Sequence, residues 1–125
     1  MAKKILIIDD DKIFSKILRD GLTVGGAGKY EIITAFDGEE GFEVALREKP
    51  DLIMLDMMMP KVTGIEFLRK YRNEESGKDT PVIVETQLSD LGSMSEGVAL
   101  GVSGYIIKSD YSLDTILRQV EDILN

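Results

Sequence analysis

The stretch PDLIMLDMMMPKVTG, residues 50–64, contains a continuous apolar run from Leu52 to Leu55 that is followed directly by Asp56. A short run of this kind is typical of a strand that is covered on both faces, as in a parallel sheet. The runs Ile5 to Ile8, Val82 to Val84 and Tyr105 to Ile107 have the same character, and Tyr30 to Thr34 adds a weaker one. The sequence therefore predicts five buried strands.

Segments with the apolar spacing of an α-helix separate these runs. Glycines at 25, 26 and 28 predict the end of the first helix, and a short helix is predicted between Leu88 and Gly101. The order βαβαβαβαβα implies a single α/β sheet of five parallel strands with helices on both faces, in the flavodoxin-like order 2-1-3-4-5. The apolar residues that define the other helices are Ile13, Phe14, Ile17, Leu18 and Leu22; Phe42, Ala45 and Leu46; Ile65, Leu68 and Tyr71; and Leu113, Ile116, Leu117, Val120, Ile123 and Leu124.

Length and composition restrict the class of protein. A chain of 125 residues with 43% hydrophobic residues predicts one domain over residues 1–125. Without cysteine or histidine, the chain has no disulfides, no thiolate or imidazole metal ligands and no Ser-His-Asp triad. A net charge of −8 argues against nucleic-acid binding by this domain. Three aspartates interrupt the apolar start, which argues against a signal peptide or a membrane span, and the absence of cysteine leads us to expect a protein of the reducing cytoplasm.

Polar residues stand where the predicted strands end. Asp9-Asp10-Asp11 follow the first strand, Asp56 the third, Thr86 the fourth and Lys108 the fifth. Ligands of an open parallel sheet bind beyond these carboxyl ends, where the strand order reverses. Taken singly, each residue is more simply read as a solvated loop end or a surface charge, but the predicted fold brings them together.

Carboxylates held close together repel each other unless a cation compensates them. Oxygen ligands without histidine or cysteine suit Mg²⁺. Such a site favours phosphoryl transfer, with Asp56 as the nucleophile, Thr86 as a hydrogen-bond donor, and Lys108 with the metal neutralising the phosphoryl oxygens. The expected product is an aspartyl phosphate.

The segments ILIIDDDK, PDLIMLDMMMPKVTG, PVIVET and GYIIK closely resemble the motifs of the response regulator receiver domain, the CheY-like superfamily. The resemblance covers almost the whole chain in the right order. It implies that Asp56 is the phospho-acceptor and that Asp9 and Asp10, with the backbone carbonyl of Met58, complete the ligands of Mg²⁺. It implies further that Lys108 matches the lysine of the family pattern, and that Thr86 and Tyr105 match its switch hydroxyl and switch aromatic.

The resemblance also implies partners. The expected phosphodonor is a phosphohistidine on a sensor histidine kinase or phosphotransfer protein in a two-component system or phosphorelay. The face formed by the predicted fourth helix, the fifth strand and the last helix is expected to bind a downstream protein, and it allows a dimer that forms on phosphorylation. The domain would catalyse its own phosphorylation and slow autodephosphorylation, with no turnover of an external substrate expected.

Two positions depart from the family pattern. The lysine is usually followed by proline in a cis peptide, whereas Ser109 follows Lys108 here. A cis bond to a residue other than proline costs about 2.5 to 4 kcal/mol, so either the loop stores that strain or the peptide is trans. Gln87 follows Thr86, where a small residue is more usual, and its amide either crowds the phosphoryl pocket or reaches into it.

Three other functions share this fold or an aspartate nucleophile. A flavin-binding electron carrier needs a phosphate loop rich in Ser, Thr and Gly after the first strand, where this chain has three aspartates. A haloacid-dehalogenase-like phosphatase needs a second acid two residues after the nucleophile, and that position is Met58. An interaction module with a receiver fold that works without phosphorylation is the remaining alternative, and the complete acidic set argues against it.

Overall fold

A computed structural model describes residues 2–87 and 99–125. Most of the predicted fourth helix, between Leu88 and Gly101, lies outside the described residues. Five parallel strands form one sheet in the order β2-β1-β3-β4-β5, which confirms the predicted fold. The strands are β1 (Lys3–Ile8), β2 (Tyr30–Ala35), β3 (Leu52–Asp56), β4 (Val82–Thr86) and β5 (Gly104–Ile107).

Helices cover both faces of this sheet. One apolar layer contains α2 and α3, and the other contains α1 and the C-terminal helix. Burial on both sides explains why the strands are continuously apolar. In the part of the chain that the structure describes, no helix is long and apolar enough to cross a membrane. The helices are α1 (Lys12–Gly26), α2 (Gly38–Glu48), α3 (Gly64–Arg72) and the C-terminal helix (Leu113–Leu124), with a 3₁₀ turn at Glu75–Gly77.

The first helix is longer than the glycines predict. Gly25 and Gly26 form its last residues, and the chain leaves the helix at Ala27, whose φ of 48° is left-handed. A β-carbon at Gly25 would collide with the side chain of Leu117, and one at Gly26 would approach the Tyr30 ring to 2.5 Å. Gly25 and Gly26 therefore allow close packing instead of ending the helix. The prediction that Gly25, Gly26 and Gly28 all follow the helix is wrong, because only Gly28 does.

The register of the sheet aligns the strand ends. Ile8 pairs with Leu55, and Asp56 pairs with Glu85 on the neighbouring strand. Asp9, the residue after β1, therefore lies beside Asp56 at the carboxyl edge. This edge contains the reversal of strand order between β1 and β3, where the sequence predicts the functional site.

Candidate functional site

Asp56 ends β3 and is 3% exposed. Its Oδ1 accepts a hydrogen bond from the backbone N–H of Met58 at 3.0 Å, so the carboxylate is held by the loop that follows it. The start of α3 packs closely against this loop, since a β-carbon at Gly64 would lie 2.7 Å from the carbonyl oxygen of Asp56. Glycine at position 64 therefore permits the close approach of α3 to the strand end.

The three aspartates after β1 have different positions. Asp9 is fully buried, and its Oδ1 accepts a hydrogen bond from the backbone N–H of Asp11 at 2.8 Å. Asp10 is exposed. The carboxylate of Asp11 caps α1 by accepting from the backbone N–H groups of Ile13 and Phe14. One of the three aspartates therefore begins a helix, whereas the carboxylates of Asp9 and Asp10 lie near that of Asp56.

Lys108 joins the two buried aspartates. Its Nζ lies 3.1 Å from Asp9 Oδ1, 2.9 Å from Asp9 Oδ2 and 3.2 Å from Asp56 Oδ2. The ammonium also lies 5.1 Å from the centre of the Phe14 ring, within cation–π range. No cis peptide bond occurs in residues 2–87 and 99–125, so the Lys108–Ser109 peptide is trans and the lysine still reaches the site.

Burial and the close approach of charged groups shift the pKa values of Asp9, Asp56 and Lys108. Burial, together with the adjacent Asp9 carboxylate, raises the pKa of Asp56 to about 7. Burial also raises the pKa of Asp9, but its interactions with the neighbouring Glu85 carboxyl and with the Lys108 ammonium outweigh burial and leave that pKa lowered. The ion pairs with Asp9 and Asp56 likewise outweigh the effect of burial and raise the pKa of Lys108. A single ammonium therefore does not compensate the carboxylates, and an additional cation would stabilise the ionised form of Asp56.

One further buried acid, Glu85, was not predicted from the sequence. Glu85 lies in β4 directly before Thr86 and is fully buried. Burial first, and then the neighbouring Asp9, raise its pKa well above the usual range. The signal was present in the sequence, since a glutamate inside an apolar strand is rarely buried unless it has a partner.

The donor set fits a divalent metal. Asp9, Asp10 and Asp56 each offer a carboxylate oxygen, and these three atoms lie within 4.8 Å of one another. Asp9 Oδ2 is buried and accepts no hydrogen bond from the described residues, although it contacts the Lys108 ammonium. Hard oxygen donors without nitrogen or sulfur ligands are what Mg²⁺ prefers.

The remaining predicted residues lie on β4, on β5 and in the loops that follow β3 and β4. Thr86 is buried at the end of β4, and its hydroxyl donates to the backbone carbonyl of Gln87 at 3.1 Å. The side chain of Gln87 is exposed at the rim. Tyr105 lies half-buried in β5 and packs against the apolar layer of α2 and α3. Met58 is exposed next to Asp56.

Comparison with known proteins identifies the family. The model of the response regulator receiver domain matches residues 5–121. The probable transcriptional regulator ycf27 of Porphyridium aerugineum is 39% identical over 120 residues, which are 94% of this chain and 48% of the relative. The DNA-binding dual master transcriptional regulator RpaA of Synechocystis is 35% identical over 97% of this chain and 48% of its own length. The chain thus spans about half the length of these relatives.

A solved structure supports the same assignment. The chemotaxis response regulator CheY4 of Vibrio cholerae superposes with a TM-score of 0.87 at 30% identity, over 99% of this chain and 100% of CheY4. The family match, the relatives and the fold therefore agree with the motifs in the sequence. This chain belongs to the response regulator receiver domain family of two-component signalling proteins.

Proposed function

We propose that this receiver domain accepts a phosphoryl group on Asp56, with Mg²⁺ held by Asp9, Asp10, Asp56 and the backbone carbonyl of Met58. The observation that carries the proposal is the position of the Asp56 carboxylate. It is buried at a strand end beside Asp9, and its Oδ2 lies 3.2 Å from the Lys108 ammonium. A nucleophilic carboxylate, further oxygen ligands and a cation for the phosphoryl oxygens are thus available at one point.

The residues have separate roles in the reaction. An oxygen of Asp56 forms the O–P bond as the N–P bond of the phosphohistidine breaks, and the electrons of that bond stay with the imidazole. Lys108 compensates negative charge on the phosphoryl oxygens, and the hydroxyl of Thr86 turns from the Gln87 carbonyl to donate to one of them. Bound Mg²⁺ would neutralise further charge on these oxygens.

Response regulators receive phosphoryl groups from histidine kinases, and we propose a sensor kinase or phosphotransfer protein as the donor in the cytoplasm. Movement of Thr86 would free space for Tyr105 to rotate, which remodels the face next to β5 and the C-terminal helix for a downstream protein or a second copy of the domain. RpaA is named as a DNA-binding regulator. The net charge of −8 makes residues 1–125 a poor surface for DNA themselves.

The test is labelling by a small phosphodonor. Incubation of the chain with acetyl phosphate and Mg²⁺ should add one phosphoryl group, seen by intact-protein mass spectrometry, because the domain itself supplies the nucleophile and the cationic groups. The variant Asp56→Asn should lose the adduct, whereas Asp20→Asn, at an exposed ion pair of α1, should keep it. A stable adduct on Asp56→Asn would refute Asp56 as the acceptor. No adduct on the wild type would favour the module that works without phosphorylation.

A further inference from the structure

The ammonium of Lys108 contacts an aromatic ring as well as the carboxylates of the site. Its Nζ lies over the Phe14 ring, 5.1 Å from the ring centre, in addition to the ion pairs with Asp9 and Asp56. The face of an aromatic ring attracts a cation, and the attraction is stronger where water is excluded. Only 12% of the Lys108 side chain is exposed, so this contact is largely shielded from water.

Phe14 has a fixed position in the fold. It lies in the first turn of α1, where its backbone N–H donates to the Asp11 carboxylate at 3.1 Å. Its side chain is buried and belongs to the apolar layer of α1 and the C-terminal helix. The four-carbon stem of Lys108 is flexible by comparison. The ring is therefore a rigid surface against which a mobile side chain can be ordered.

Tyr111 supports the ring of Phe14 from the loop between β5 and the C-terminal helix. The two ring centres are 5.2 Å apart and the ring planes are nearly perpendicular, at 88°. Aromatic pairs prefer this edge-to-face geometry. Lys108 lies in the same short loop as Tyr111. One loop thus carries both the ammonium and the second ring that contacts its aromatic partner.

The carboxylates alone are an incomplete anchor for the ammonium. Asp9 and Asp56 are proposed ligands of Mg²⁺, so Lys108 must compete with any metal bound there for the same negative charge. The Phe14 ring has no net charge for a metal to neutralise, and its attraction for the ammonium persists when the carboxylates are occupied. The ring can therefore hold the ammonium in place when the carboxylates no longer do so fully.

We propose that Phe14, supported by Tyr111, is a positioning residue that holds the Lys108 ammonium at this site through a cation–π contact. The inference rests on the proposed function, in which Lys108 compensates the charge of the phosphoryl oxygens. Phe14 acts through the lysine and not on the reacting atoms. Loss of the ring should leave the acceptor and the lysine present but allow the ammonium to occupy more positions.

A measurement without metal tests the contact itself. In chelator, the ε-methylene protons of Lys108 should show an upfield ring-current shift by NMR, assigned with Lys108→Arg. The shift should disappear in Phe14→Leu and shrink in Tyr111→Leu, whereas Tyr111→Phe should preserve it because the second ring remains. Wild-type protons at the ordinary lysine position would overturn the proposal. A full shift in Tyr111→Leu would overturn the supporting role of Tyr111.

Fluorination of the ring tests the effect on the reaction while the size of the side chain stays nearly constant. Successive fluorine atoms on Phe14 withdraw electrons from the ring face and weaken its attraction for a cation. The initial rate of labelling by acetyl phosphate at saturating Mg²⁺ should fall stepwise along the series, by about two- to fivefold in all. The matched control is Phe67, a buried ring stacked on Tyr71 in the other apolar layer, where fluorination should leave the rate unchanged.

The outcomes separate positioning from packing. A rate that does not depend on fluorination of Phe14, or that falls equally with Phe67, would overturn the proposal, because a purely structural ring gives either result. The double variant of Phe14→Leu with Tyr111→Leu should be no slower than Phe14→Leu alone, since Tyr111 acts through the ring, and additive losses would contradict this. A wild type that shows the ring-current shift but gains no phosphoryl group would count against the proposed function and leave the positioning of Lys108 standing.

Discussion

Met58 differs in exposure from the methionines on either side of it. Its side chain is 58% exposed, whereas Met57 and Met59 are 2% and 5% exposed and belong to the apolar layer of α2 and α3. Met58 therefore does not pack into the core with its neighbours. Its backbone N–H donates to Asp56, so residue 58 lies directly beside the proposed acceptor while its side chain is exposed to solvent.

We expect Met58 to slow hydrolysis of the aspartyl phosphate. A thioether orients water poorly, whereas the amide of an asparagine both donates and accepts hydrogen bonds. The variant Met58→Asn should therefore lose its phosphoryl group severalfold faster than the wild type, measured as acyl-phosphate decay at fixed Mg²⁺. Met58→Leu, which keeps the apolar bulk, should decay like the wild type. An unchanged or slower rate in Met58→Asn would remove Met58 as the control of lifetime, and Gln87→Ala would then test the opposite rim.

The side chain of Arg72 connects parts of the fold that are distant in sequence. From the end of α3, its guanidinium donates to the carbonyl oxygens of Gly77 at 2.8 Å and Thr80 at 2.7 Å. The guanidinium also donates to the carbonyl oxygens of Leu100 at 2.9 Å and Gly101 at 3.3 Å. One side chain thus joins the 3₁₀ turn, the approach to β4 and the chain that leads into β5.

Replacement of Arg72 by lysine should destabilise the fold measurably. An ammonium lacks the planar fork of the guanidinium and cannot reach all of these carbonyls, so buried acceptors lose their partners. We expect Arg72→Lys to lower the free energy of unfolding by about 2 kcal/mol in urea titrations with an unchanged m-value. Arg118→Lys, at an exposed position of the C-terminal helix, should change it by less than about 0.5 kcal/mol. Equal effects in the two variants would contradict this role of Arg72.

For the whole molecule, folding itself assembles the proposed metal site. Asp9 and Asp10 follow β1, and Asp56 lies more than forty positions later in the chain, yet their ligand atoms lie within 4.8 Å of one another. The unfolded chain has no such cluster. Any Mg²⁺ bound there therefore stabilises the folded state alone, in a molecule whose net charge is already −8.

We expect Mg²⁺ to raise the thermal midpoint of the wild type by several degrees. At ten times the dissociation constant, the linkage relation gives about 1.4 kcal/mol of added stability. Differential scanning calorimetry with Mg²⁺ and with chelator measures the shift. Asp10→Ala, which removes the exposed ligand without disturbing the core, should lose most of it, while Asp20→Ala on α1 should keep it. A full shift in Asp10→Ala, or none in the wild type, would show that the metal site is assigned wrongly.

The amino-acid sequence was sufficient to predict the fold and the side chains that meet at one edge of the sheet. Continuous apolar runs identify strands buried on both faces, and their alternation with helical patterns leaves few topologies, so the order 2-1-3-4-5 could be predicted. The carboxyl ends of parallel strands then lie together by geometry. For this reason Asp9, Asp56 and Lys108 could be placed near each other before any distance was known, while their roles stay predictions.

The surroundings of each of these residues depend on packing that the sequence pattern does not reveal. The three consecutive aspartates look alike in the sequence, but packing buries Asp9 and leaves Asp10 exposed to solvent, while Asp11 caps the start of α1. The trans peptide after Lys108 and the effect of Asp9 on Glu85 could not be predicted from the sequence either, because they depend on contacts between segments that are distant in the chain. Local pattern sets which element a residue joins, whereas burial and charge pairing arise from the register and packing of all the elements together.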